Sequence, residues 1–101
     1  MTDQAEQIRE ILSKRMALVD AAAQLNAAQL QNTQQLSGNQ IDLMRCADGV
    51  RDQAGSDQLR NELAEAEARD ALLKTKMSEC DDRLQALQQE IAALDRKLES
   101  L

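Results

Sequence analysis

The chain contains no Phe, Tyr, Trp, Pro or His. Aromatic side chains supply much of the buried area in a compact core. A core here has to be built from Leu, Ile, Val, Met and Ala, a set that suits thin helical assemblies and rarely supports a mixed α/β domain. The missing proline removes the strongest helix breaker. The missing histidine excludes a nucleophile activated by a His base. With only two thiols, Cys46 and Cys80, it also leaves too few ligands for a structural zinc site. The two cysteines form no C-x-x-C pair and read as small buried hydrophobes, with an intermolecular disulfide or a redox role as the alternatives.

Other absences narrow the partners. No apolar run approaches the roughly 20 residues needed to span a bilayer. Met1-Thr2-Asp3-Gln4 opens acidic and lacks the basic and apolar regions of a signal peptide. A cytoplasmic location is the expectation, with export by a signal-less route left open. Twelve basic against eighteen acidic residues give a net charge of −6, and no Lys/Arg cluster forms a stripe. Phosphate neutralisation dominates nucleic-acid affinity, so no nucleic acid and no membrane insertion is expected among the partners.

What remains is a chain rich in Ala, Leu, Gln, Glu, Arg and Asp, most of them good helix formers. From Leu59, alternating steps of four and three residues reach Leu63, Ala66, Asp70, Leu73, Met77, Cys80, Leu84, Leu87, Ile91, Leu94, Leu98 and Leu101. All but Asp70 are apolar. A spacing of 3.5 residues keeps one seam facing a partner in a left-handed supercoil, so residues 59–101 read as a coiled-coil helix. The first half carries a similar seam at Ile8, Ile11, Arg15, Leu18, Ala22, Leu25, Gln29, Asn32, Leu36, Asn39, Leu43, Cys46 and Val50. A neighbouring stripe adds Leu12, Met16, Val19, Ala23 and Leu30. A band wider than one seam belongs to a helix with more than one neighbour. Residues 24–40, rich in Gln and Asn, read as a weaker stretch of helix.

Three glycines punctuate the chain. Gly49 and Gly55 mark a reversal, because Gly commonly ends helices in the left-handed conformation. Ser56 or Asp57 is placed to cap the next helix. Gly38 is either a second break or a helix-interior glycine. The expected architecture is all-α: an antiparallel coiled-coil hairpin of two long helices, one domain over 1–101. Helix 1 covers about 3–48, the turn about 49–57, and helix 2 about 58–100. In a register where facing positions add to 109, Leu43 meets Ala66, Ala22 meets Leu87, and Asn39 meets Asp70, the one charged seam residue of the second half. A parallel homodimer would set Asp70 against itself and join like charges such as Glu62 with Glu67 and Arg69 with Lys74, which disfavours it. An antiparallel pairing between chains stays open.

No site for chemistry is expected. No strand precedes a glycine-rich phosphate loop, and Glu79-Cys80-Asp81-Asp82 reads as a solvated acidic face, with Asp81 and Asp82 pointing about 100° apart on a helix. Glu65–Arg69 and Glu79–Arg83 are candidate helix-supporting pairs. The functional expectation is a non-enzymatic interaction module with no cofactor and no metal. It has a coiled-coil seam of Leu59, Leu63, Leu73, Met77, Leu84, Leu87, Ile91, Leu94 and Leu98. Its partner-facing stripe is Leu12, Met16, Val19, Ala23 and Leu30. Such a module acts as a scaffold or adaptor by self-association, as a dimer of hairpins in a helical bundle, or through a helical partner protein.

Three other readings stand beside it. One is a small acidic chaperone for a secreted or self-assembling subunit. The second is a secreted hairpin, because length and mid-chain turn resemble the WXG100 class, although the Trp-x-Gly motif is absent. The third rests on the acidic tip at Asp48, Asp52 and Asp57, which resembles coiled-coil regulators that enter the RNA polymerase secondary channel, although those carry a second globular domain.

Overall fold

The computed structural model describes residues 2–101. Two helices account for nearly all of them: α1, Thr2–Asp52, and α2, Asp57–Glu99. No proline interrupts either run, and end charges complement the helix dipoles. Asp3 and Asp57 sit in the first turns, and Arg51, Arg96 and Lys97 in the last.

The connection is only Gln53–Ser56, shorter than the 49–57 expected. The Gln53 amide still donates to the Gly49 carbonyl at 2.8 Å, and the Ser56 amide turns back to the Gln53 carbonyl at 3.0 Å. Ser56 Oγ then accepts from the Leu59 amide at 3.3 Å, a side-chain cap on the third residue of α2. The Arg60 guanidinium closes the turn by donating to the Ala54 carbonyl. Among the described residues no glycine has a positive φ, so the expected left-handed ends at Gly49 and Gly55 do not form. Gly49 lies inside α1, where a side chain would fit without displacing its neighbours. A Cβ there would stand 3.5 Å from both methyls of Leu59, which folds over it at the turn. Gly38 is likewise an interior residue of an unbroken α1.

The helices run antiparallel and meet in two compact units. The first, Gln29–Glu79, contains the turn. Its buried residues are Asn39, Cys46, Ala66 and Leu73, flanked by half-buried Leu36, Leu43, Val50, Leu59, Leu63 and Met77. Polar seam residues are satisfied against backbone. Asn39 Nδ2 donates to the Ala66 carbonyl at 2.8 Å, and Arg69 Nε donates to Asn39 Oδ1 at 3.0 Å. Gln29 Nε2 donates to the Met77 carbonyl at 3.0 Å, and Asn32 Nδ2 to Gln29 Oε1 at 3.3 Å.

Asn39 therefore does not bond to Asp70, the residue set opposite it in the expected register. Ala66, at 0% exposure, is small enough to bring its backbone within reach of the amide, while Asp70 turns along its own helix to Lys74 Nζ at 2.8 Å. Arg69 serves Asn39 and leaves the expected Glu65–Arg69 pair open; the Glu79–Arg83 pair does not close either among the described ion pairs.

The second unit comprises Met1–Ala28 and Cys80–Leu101. Cys80, Leu84 and Leu94 are buried, and Ile8, Ile11, Leu18, Ala22, Leu25, Leu87, Ile91 and Leu98 half-buried. Leu101, placed in the seam by its spacing, is 44% exposed because α2 ends at Glu99. Arg15 occupies a seam position yet keeps its head in water, reaching Asp95 Oδ1 at 2.7 Å with both side chains over a third exposed. The long stem covers the seam while the charge stays at its edge. Cys80 Sγ donates to the Leu25 carbonyl at 3.3 Å.

In each unit the pairing fits facing positions that add to 109. Arg15 with Asp95 adds to 110, and Gly49 with Leu59 to 108. The side-chain contacts to carbonyls add to 105 or 106. That offset follows from helix geometry. Side chains lean toward a helix's N-terminus, while each carbonyl points toward its C-terminus and is met from a turn below. The side-chain pairs at 108 and 110 lie further from the next heptad registers, 102 and 116.

Candidate interaction surface

Burial divides the expected residues into two groups. The seam residues Leu59, Leu63, Leu73, Met77, Leu84, Leu87, Ile91, Leu94 and Leu98 are all buried or half-buried between the helices. The neighbouring stripe of α1 is not covered. In the unit holding the chain ends, Leu12 is 45%, Met16 69% and Val19 42% exposed, and Ala23 is exposed beside them. In the turn unit Leu30 is 60% exposed. A second heptad stripe thus stands in solvent on the helix whose first stripe is occupied.

The turn unit carries three further exposed large apolar residues outside the expected stripe: Ile41, Met44 and Leu72. Met44 had a legible signal. It lies fourteen residues, two heptads, beyond Leu30, with Ser37 between them breaking the apolar pattern. Leu72 had none, because a leucine beside seam residue Leu73 looks like part of the seam. It borders an open groove with Gln35, Gly38, Asp42 and Arg69, on the side where Gly38 offers no side chain.

Charge is distributed unevenly. Residues 21–41 of α1 include no Asp, Glu, Lys or Arg, whereas residues 68–88 of α2 carry Arg69, Asp70, Lys74, Lys76, Glu79, Asp81, Asp82 and Arg83. Over these spans α2 presents charged residues, and α1 presents Ala, Gln, Asn and bare aliphatic residues.

Among the described residues no group of three or more His, Cys, Asp or Glu converges as a metal cage. Cys46 and Cys80 are free thiols at 6% and 7% exposure, one in each unit. Among the described residues no helix is long and apolar enough to cross a membrane. The Arg51–Asp48 contact at 2.6 Å ties one carboxylate of the acidic tip to its own helix. No protein-family model, no curated protein and no solved structure matches the chain.

Proposed function

We propose that the chain is a non-enzymatic coiled-coil interaction module, a scaffold or adaptor that works by self-association. The observation that carries this reading is the uncovered stripe of α1 in the unit holding the chain ends, with Leu12, Met16 and Val19 between 42% and 69% exposed and Ala23 exposed beside them. Contiguous apolar surface of this kind marks an interaction site.

Light scattering across a concentration series tests the reading. Self-association gives a mass that is a multiple of 11.2 kDa and falls on dilution. A mass of one chain at every concentration refutes it. The second reading, a small acidic chaperone, draws on Met16 and Met44, both 69% exposed. Unbranched, polarisable methionines suit a surface that adapts to more than one sequence. Under that reading the chain is recovered from its native host with a client, and the complex replaces any homo-oligomer.

A further inference from the structure

The exposed stripe and the occupied seam of α1 are related by one residue. Leu12 follows Ile11, Met16 follows Arg15, Val19 follows Leu18, and Ala23 follows Ala22. One residue is a rotation of about 100° around a helix. Within the unit formed by Met1–Ala28 and Cys80–Leu101, α2 takes the first direction, and the second is empty. In a square four-helix bundle each helix has two neighbours about a right angle apart. The stripe therefore stands where a third helix belongs, with the 4-3 spacing of a coiled-coil seam.

The pattern along the stripe also selects its occupant. From Arg9 to Asn26 the stripe reads Arg9, Leu12, Met16, Val19, Ala23, Asn26, all exposed. Against a reversed copy of itself, with facing positions adding to 35, Leu12 meets Ala23, Met16 meets Val19, and Arg9 meets Asn26. Large faces small, apolar faces apolar, and a guanidinium faces an amide oxygen able to accept from it. Shifting one heptad, to 42, puts Met16 on Asn26. A parallel copy sets Met16 on Met16 and Arg9 on Arg9.

Direction matters for closure too. An antiparallel twofold places the two α2 helices on the same side of the α1 pair. A parallel twofold places them on opposite sides and leaves the layer open.

We infer that the occupant is a second copy of this chain. The α1 helices of two hairpins pack antiparallel through Arg9–Asn26, centred between Ala17 and Leu18. This inference rests on the self-association proposed above and adds its surface and direction.

The test uses the full chain in three forms. The first is wild type. The second is M16E/V19E, whose charges are solvated in a lone hairpin, because both positions are exposed there. The third is a mixture of an L12C form with an A23C form, both carrying C46A and C80A, with helicity matched to wild type by circular dichroism. The expected results are a wild-type dimer, a rise of about 100-fold or more in the dissociation constant for M16E/V19E without loss of helicity, and a disulfide between the L12C and A23C chains only when they are mixed. A wild-type chain that stays monomeric at all concentrations overturns the underlying reading. A dimer that M16E/V19E leaves intact, or one in which L12C cross-links to itself, overturns the inference alone. Should the cysteine background lose its helicity, the charge variant and wild type by themselves decide whether this surface is the interface.

Discussion

Replacing Gly38 by Ala separates the two meanings that a glycine can have in this chain. Gly38 sits inside α1 with no positive φ, so the backbone is already one that alanine prefers. A Cβ built there meets nothing within 4 Å, so the added methyl costs no repacking. The gain is then mostly the smaller conformational freedom of alanine in the unfolded chain, about 0.5–1 kcal/mol. For a domain of about 100 residues that raises the melting midpoint by roughly 2–8 °C. Thermal and urea melts followed by circular dichroism at 222 nm measure it. The protein concentration has to be held fixed, because association moves an apparent midpoint. Gly49→Ala is the matched comparison. Its methyl lands in ordinary contact with Leu59 at 3.5 Å, and a similar gain is expected there. A Gly38→Ala protein that melts lower than wild type, while Gly49→Ala melts higher, refutes the reasoning. Alanine is penalised only where the native backbone is one it avoids, and that result means α1 breaks at Gly38.

Three further outcomes follow from the packing. Ile91→Asp puts an unpaired carboxylate in the seam and is expected to cost about 3 kcal/mol or more, most of the stability of a small domain; a melt unchanged from wild type sinks the heptad assignment of α2. Asp70→Leu removes a half-buried carboxylate whose ion-pair partner, Lys74, is mostly exposed, so a gain of about 1–2 kcal/mol in unfolding free energy from urea melts is expected, and a loss shows that Asp70 is held by more than that partner. Cys46 and Cys80, both buried, are expected to react with a thiol reagent far more slowly than in urea, at a rate set by opening of the helix pair; full labelling within the mixing time under native conditions contradicts their burial.

The seams were readable because their signal is local. A 4-3 repeat of Leu, Ile and Met needs no knowledge of the partner, and every residue it selected except Leu101 is buried or half-buried. The exposed stripe was readable for the same reason, since it repeats the seam one residue on. The polar layer was not. Asn39 and Asp70 are the conspicuous polar residues at that level, and pairing them is the natural expectation. The acceptor that Asn39 uses is the carbonyl of Ala66. Every residue has such a group, so composition cannot single it out. Only the small side chain at 66 hints that a backbone lies open there.

The helix ends were misplaced for a related reason. Glycine permits a left-handed turn without requiring one. At Gly49 the helix simply continues to Asp52, with the Gln53 amide still bonded back to the Gly49 carbonyl. Arg15 shows a third limit. Its seam position was legible, but its reach to Asp95, eighty residues along the chain, depends on the hairpin being closed.

The four-residue connection between α1 and α2 also sets an order of events. Cross-helix contacts span ten residues at Gly49 and Leu59, 27 at Asn39 and Ala66, 48 at Gln29 and Met77, and 97 at Gln4 and Leu101. Closing a loop costs more as it lengthens, and a single uncapped helix turn is a poor nucleus. Formation that starts at Ser56 and proceeds outward never closes more than a few free residues at a time. The hairpin then assembles like a zipper from its capped turn, with mostly local steps and the fast kinetics of low contact order. Cutting the backbone between Gln53 and Ser56 leaves every seam contact in place. It turns a rapid first-order closure into a collision of two helices, slow and dependent on concentration.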